Sequence, residues 1–108
     1  MIQLQQRIFA FNSLGDFLRN INAENTDYNA LFDNVSRAKD NNGWFSKESV
    51  LHAFNAWGNL LNKKDLLHWT KDYFFENEEP KIVGLVLAGN IPLVGFHDVL
   101  SVLISGNK

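Results

Sequence analysis

The sequence predicts a mostly α-helical chain that closes on one terminal βα unit. Apolar residues recur at spacings of three and four through residues 3–75, the repeat of amphipathic helices. The pattern changes after Pro80. Ile82-Val83-Gly84-Leu85-Val86-Leu87-Ala88 is continuously apolar and partly β-branched, as in a strand covered on both faces of a parallel sheet. A Gly89-Asn90-Ile91-Pro92 turn follows. Phe96, Val99, Leu100 and Leu103 then return to helical spacing.

The first helix is expected over 3–21, with Leu4, Ile8, Phe11, Leu14, Leu18 and Ile21 on one face. Gly15 invites a kink there. Asn22 to Thr26 reads as a loop. Thr26 or Asp27 caps a second helix that turns Leu31, Phe32, Val35 and Ala38 inward. Asp40-Asn41-Asn42-Gly43 ends it, because Asn and Gly accept the left-handed conformation found at helix ends. Ser46 caps a third helix over Lys47 to Leu61, with Val50, Ala53, Phe54, Trp57, Leu60 and Leu61 on one side. Trp44 or Phe45 can act as a hydrophobic staple on its first turn. Asn62, with Asp65 three residues on, caps a fourth helix carrying Leu66, Leu67, Trp69, Thr70, Tyr73 and Phe74. Glu76-Asn77-Glu78-Glu79-Pro80 reads as a solvated acidic connector. A strand is expected over 82–88 and a last helix over about 93–105. Pro92 suits a helix start, where a missing N–H costs nothing, and Ser105-Gly106 stops the helix.

With 108 residues the chain can bury a single core. The division expected within it is a helical region over 1–79 and, over 80–108, the opening of a truncated α/β domain. A βα unit needs a second strand beside its first, so the chain reads as cut in mid-sheet. The net charge is -2 and the pI about 5.8, with the basic residues scattered. That argues against a nucleic-acid partner. With no Cys there is no disulfide, thiolate metal site or cysteine nucleophile in this chain. No segment approaches the ~20 apolar residues of a membrane span, and the N-terminus lacks a secretory signal pattern. A cytoplasmic location is expected.

The segment V-L-A-G-N-I-P-L-V-G-F-H-D-V-L-S-V-L-I-S-G-N-K resembles the acyl-CoA reductase family, the type that supplies fatty aldehyde in bacterial luminescence. That family is a branch of the aldehyde dehydrogenase superfamily. Gly89-Asn90-Ile91-Pro92 is similar to the superfamily's Trp-Asn-Phe-Pro turn, with Gly for Trp and Ile for Phe. Ser105-Gly106-Asn107 is similar to its following Ala-Gly-Asn. Trp44-Phe45-Ser46 and Leu66-x-x-Trp69-x-x-x-Tyr73 also look like the family's N-terminal helices. There is no Gly-x-Gly-x-x-Gly fingerprint.

The resemblance implies that the chain is the N-terminal part of an α/β, aldehyde-dehydrogenase-like parent, with 80–108 opening its nicotinamide-cofactor-binding domain. It implies an oxidoreductase that reduces acyl-CoA, or another acyl thioester, to aldehyde through a downstream cysteine. The cofactor implied is NADPH, or NADH. Asn90 would donate its side-chain amide to the developing oxyanion, a contribution worth about 3 kcal/mol of barrier. Ile91, Pro92 and Leu93 would line the cofactor cleft. The 108 residues alone are expected to be inactive and to bind no cofactor.

Other readings of the same residues stand beside this one. Asn90 can serve only its own turn. His97 and Asp98 are adjacent on a helix and point about 100° apart. Asp98 then complements the helix dipole, while His97 is structural or peripheral to the cleft. His52 and His68 have no second ligand at metal spacing, so no metal site is expected. Trp57 and Trp69 fit packing better than a stacking platform. The alternative to a reductase segment is a stand-alone helical interaction or regulatory module, with a docking surface on Trp44, Trp57, Phe74 and Phe75. Strand 82–88, left without sheet partners, is expected to pair with a second copy into a homodimer.

Overall fold

A computed structural model describes residues 3–22, 26–75 and 79–108. Among them the chain forms α1 (Leu4–Arg19), a 3-10 turn (Thr26–Tyr28), α2 (Asn29–Asn41), α3 (Lys47–Leu60), α4 (Lys63–Thr70) and α5 (Phe96–Ile104). Residues 23–25 of the expected loop and 76–78 of the acidic connector lie outside the described residues.

Helix α1 is the organising element, packing against α3, α4 and α5, while α2 packs on α3. The core gathers Ile8, Leu18, Ile21, Leu61, Leu66, Leu100 and Ile104. Residue Leu61 has no exposed surface at all. Helix α1 runs unbroken through Gly15, which lets α3 approach. A Cβ there would lie 2.0 Å from the Leu61 carbonyl oxygen, and one on Gly58 would lie 2.7 Å from Arg19 Cγ. Each residue is therefore glycine because another chain segment fills the space of its side chain.

Two expected caps are made. The Ser46 hydroxyl accepts from Ser49 N–H at 3.2 Å. Asn62 Oδ1 accepts from Asp65 N–H at 2.9 Å while Asn62 Nδ2 donates to the Asp65 carboxylate at 2.7 Å. The next N–H, that of Lys63, donates across the fold to Asn12 Oδ1 on α1 at 2.9 Å. Helix α2 departs from expectation. Thr26 and Asp27 sit in the 3-10 turn, and Tyr28 occupies the cap without a side-chain bond. Leu60, expected to face inward, is exposed.

The expected terminal βα unit is not present: no strand or sheet forms among the described residues, and the structure is all-helical. The physical reason lies in the ladder. Residues 81–88 contain no helix, but among the described residues long-range backbone bonds reach only the first of them. Val83 N–H donates to the Lys108 carbonyl at 2.8 Å and Lys108 N–H to the Lys81 carbonyl at 2.9 Å. Among the described residues nothing pairs the backbone from Gly84 to Ala88. An apolar run is a strand only where neighbours complete its hydrogen bonds.

Its side chains still alternate. Val83, Leu85 and Leu87 are 40%, 39% and 45% exposed, whereas Ile82 and Val86 are 90% and 103% exposed. One side therefore rests partly on the protein and the other is open. Leu87 reaches α5, since a Cβ on Gly95 would meet Leu87 Cδ2 at 2.5 Å.

The last helix begins at Phe96 rather than near residue 93. Leu93 has φ +58°, a left-handed conformation that no right-handed helix contains. Trp57 and Phe96 meet edge to face with centroids 4.7 Å apart, fastening α5 to α3. The helix ends as expected, with Gly106 at φ +91° and bonds from Gly106 N–H to Leu103 and from Asn107 N–H to Val102 closing its last turn.

Candidate functional site

The candidate site is the turn that leads from the exposed apolar segment into α5. Val94 N–H donates to Ile91 and Phe96 N–H to Leu93, at 3.2 and 3.0 Å, so the turn tightens onto the helix. Pro92 is buried beneath it, Leu93 is half-buried, and Asn90 and Ile91 are exposed. Thus Asn90 and Ile91 are placed together at the surface. Of the three residues expected at the cofactor cleft, Ile91 is exposed, Leu93 half-buried and Pro92 buried.

Among the described residues the Asn90 amide makes no hydrogen bond, to its own backbone or to any other group. Other asparagines behave differently. Asn12 and Asn62 hold the start of α4, and Asn107 accepts from Lys81 N–H at 2.9 Å while donating to the Ser105 hydroxyl at 3.0 Å. Asn90 is therefore not spent on stabilising its turn. The tie that does hold the turn comes from elsewhere: Asn42 Nδ2 donates to the Gly89 carbonyl at 3.0 Å.

The first turn of α5 is poorly suited to phosphate. Phe96, Asp98 and Val99 N–H groups are already bonded to Leu93 and Gly95 carbonyls, and the Asp98 carboxylate stands among them. A dinucleotide's pyrophosphate would find three of these donors taken and a carboxylate close by. What the turn offers instead is apolar surface at Ile91 and Leu93.

His97 lies beside Trp69, rings 6.0 Å apart and tilted at 48°. Both border a cavity of about 190 Å³ with Trp57, Leu60, Asp65 and Leu100. No group of histidine and acidic residues among the described residues could hold a metal ion. Of the expected docking aromatics, Trp44 and Phe74 are exposed, Trp57 is engaged with Phe96, and Phe75 stacks on Tyr73 at 5.9 Å.

A second structural centre escaped the reading of the sequence. Arg7 is buried and its Nε donates to the Ile104 carbonyl at 2.8 Å. Its guanidinium lies against Gly106, and burial pushes its pKa below the ordinary arginine value. A cavity of about 820 Å³ opens beside it, bordered by Phe11, Pro80, Leu103 and Lys108. The available signal was positional. Arg7 shares a helical face with Phe11, Leu14 and Leu18, at i+4, i+7 and i+11. No described helix is long and apolar enough to cross a membrane. Comparison with family models, with curated proteins and with solved structures finds no match.

Proposed function

We propose that the chain is the N-terminal part of a cytoplasmic NADPH- or NADH-dependent acyl-CoA reductase, in which Asn90 is the oxyanion donor. The observation that carries this reading is the uncommitted Asn90 amide at the exposed end of the resembling turn. A neutral donor held ready for negative charge does most when that charge develops on the thioester oxygen. The cysteine that attacks the acyl group lies outside these 108 residues, which contain none. The cofactor supplies hydride when bound. This chain contributes Ile91 and Leu93 as apolar surface, with Pro92 beneath them. The described helices of region 1–79 support the turn, and 80–108 carry the turn itself.

The test is steady-state kinetics of Asn90→Ala in the full-length protein with acyl-CoA and NADPH. The reading expects turnover to fall while the Michaelis constants stay near wild type. Unchanged turnover returns Asn90 to a plain turn residue.

A second reading, favoured by the near-complete exposure of Ile82 and Val86, is that the isolated chain forms a homodimer through 82–88. A two-fold axis at Gly84, where a Cβ would meet nothing, sets Ile82 opposite Val86 of the second copy. It also pairs the free backbone edge of residues 82, 84 and 86. Sedimentation equilibrium of wild type and Val86→Lys decides it: the reading expects a dimer that the lysine dissolves. A wild-type monomer at millimolar concentration excludes it.

A further inference from the structure

We propose that Asn42 is a positioning residue that fixes the Gly89–Asn90 peptide and thereby aims the Asn90 side chain. The proposal rests on the reductase reading for its function, and on hydrogen bonds alone for its geometry. Asn42 is itself immobilised where α2 stops. Its N–H donates to the Ala38 carbonyl at 3.0 Å and its carbonyl accepts from Phe45 N–H at 2.9 Å. Its Oδ1 accepts from Trp44 N–H at 3.1 Å. One group remains, the amide Nδ2, and it donates to the Gly89 carbonyl at 3.0 Å.

The other end of that bond has no alternative. Among the described residues, no other hydrogen bond reaches the backbone between Gly84 and Asn90. The Gly89 carbonyl belongs to the same rigid plane as the Asn90 N–H. Holding the carbonyl therefore fixes where the Asn90 Cα sits and the direction of its N–Cα bond, which narrows the region the side chain can sweep. Neighbouring restraints start only at Ile91, whose carbonyl accepts from Val94 N–H. A side chain that must meet a developing charge gains from being oriented beforehand. Asn42 supplies that orientation from a helix 47 positions away in sequence.

The dissecting variant is Asn42→Asp. It keeps an oxygen for Trp44 N–H and removes the donor to Gly89. In ¹⁵N relaxation of the 108-residue chain, backbone order parameters at Gly89 and Asn90 are expected to fall from about 0.85 to below about 0.6, with those of α2 and α3 unchanged. Order parameters that do not move overturn the proposal. Should the variant lower the melting temperature, Asn42→Ser keeps the acceptor, cannot span to Gly89, and gives the same readout.

The functional half is a double-mutant cycle in the full-length protein. Asn42→Asp is expected to lower turnover roughly two- to tenfold, the worth of one such hydrogen bond, without raising the Michaelis constant. It should cost nothing further in an Asn90→Ala background. Costs that simply add, or no loss from Asn42→Asp while Asn90→Ala is impaired, defeat the positioning role. If Asn90→Ala itself is unimpaired, the reductase reading fails and the order parameters still decide the tether.

Discussion

Gly15 and Leu93 show how much single positions settle here. At Gly15 the side-chain space belongs to the backbone of Leu61, which cannot swing aside as a flexible side chain can. Gly15→Ala is expected to lower stability by about 1–3 kcal/mol or more, the cost of overpacking. Urea unfolding that gives an unchanged midpoint would mean that α1 and α3 separate easily. Leu93 holds a left-handed conformation that a β-branched residue tolerates poorly. Leu93→Val should cost about 1 kcal/mol or more, seen as a lower melting temperature. Arg19 donates to the Gly58 carbonyl and pairs with Asp16, so it closes the end of α3 beside the glycine contact. The pairing itself is partly exposed and worth little; the bond to the helix terminus is the useful part.

At the scale of the element, legibility follows the distance between cause and effect. The caps at Ser46 and Asn62 act within three residues, so the sequence displays them, and α3 and α4 start as read. Ser46→Ala is expected to cost about 1 kcal/mol, and an unchanged thermal midpoint would show that other contacts start α3. The beginning of α5 was not legible, because the φ of Leu93 is set by how its turn packs and not by its side chain. The strand over 82–88 failed for a further reason. Its composition reports apolar surroundings on two faces, whereas a strand also requires partners for its backbone. Among the described residues those partners reach only Lys81 and Val83. Of the site, the turn residues were visible as a local pattern. The tether from Asn42 and the bond from Arg7 to Ile104 were not, since they join residues 47 and 97 positions apart.

For the whole molecule, the helices share one core but do not draw in the entire chain. The radius of gyration is 15.5 Å, above the about 13 Å expected of a compact chain of this length. The apolar segment has an open side, at Ile82 and Val86. Covering that side would remove two almost fully exposed apolar side chains from water. Val86→Lys should therefore keep the helical circular dichroism of the wild type while reducing any concentration-dependent association. Loss of helicity in that variant would show instead that Val86 supports the helices.

The central claim concerns the Asn90 amide, and one number tests it most directly: the turnover of Asn90→Ala relative to wild type in the full-length protein, at saturating acyl-CoA and NADPH. An oxyanion donor predicts a fall of about 10²–10³-fold with little change in cofactor affinity. Turnover equal to wild type would contradict the account and leave Asn90 as an exposed residue of a turn.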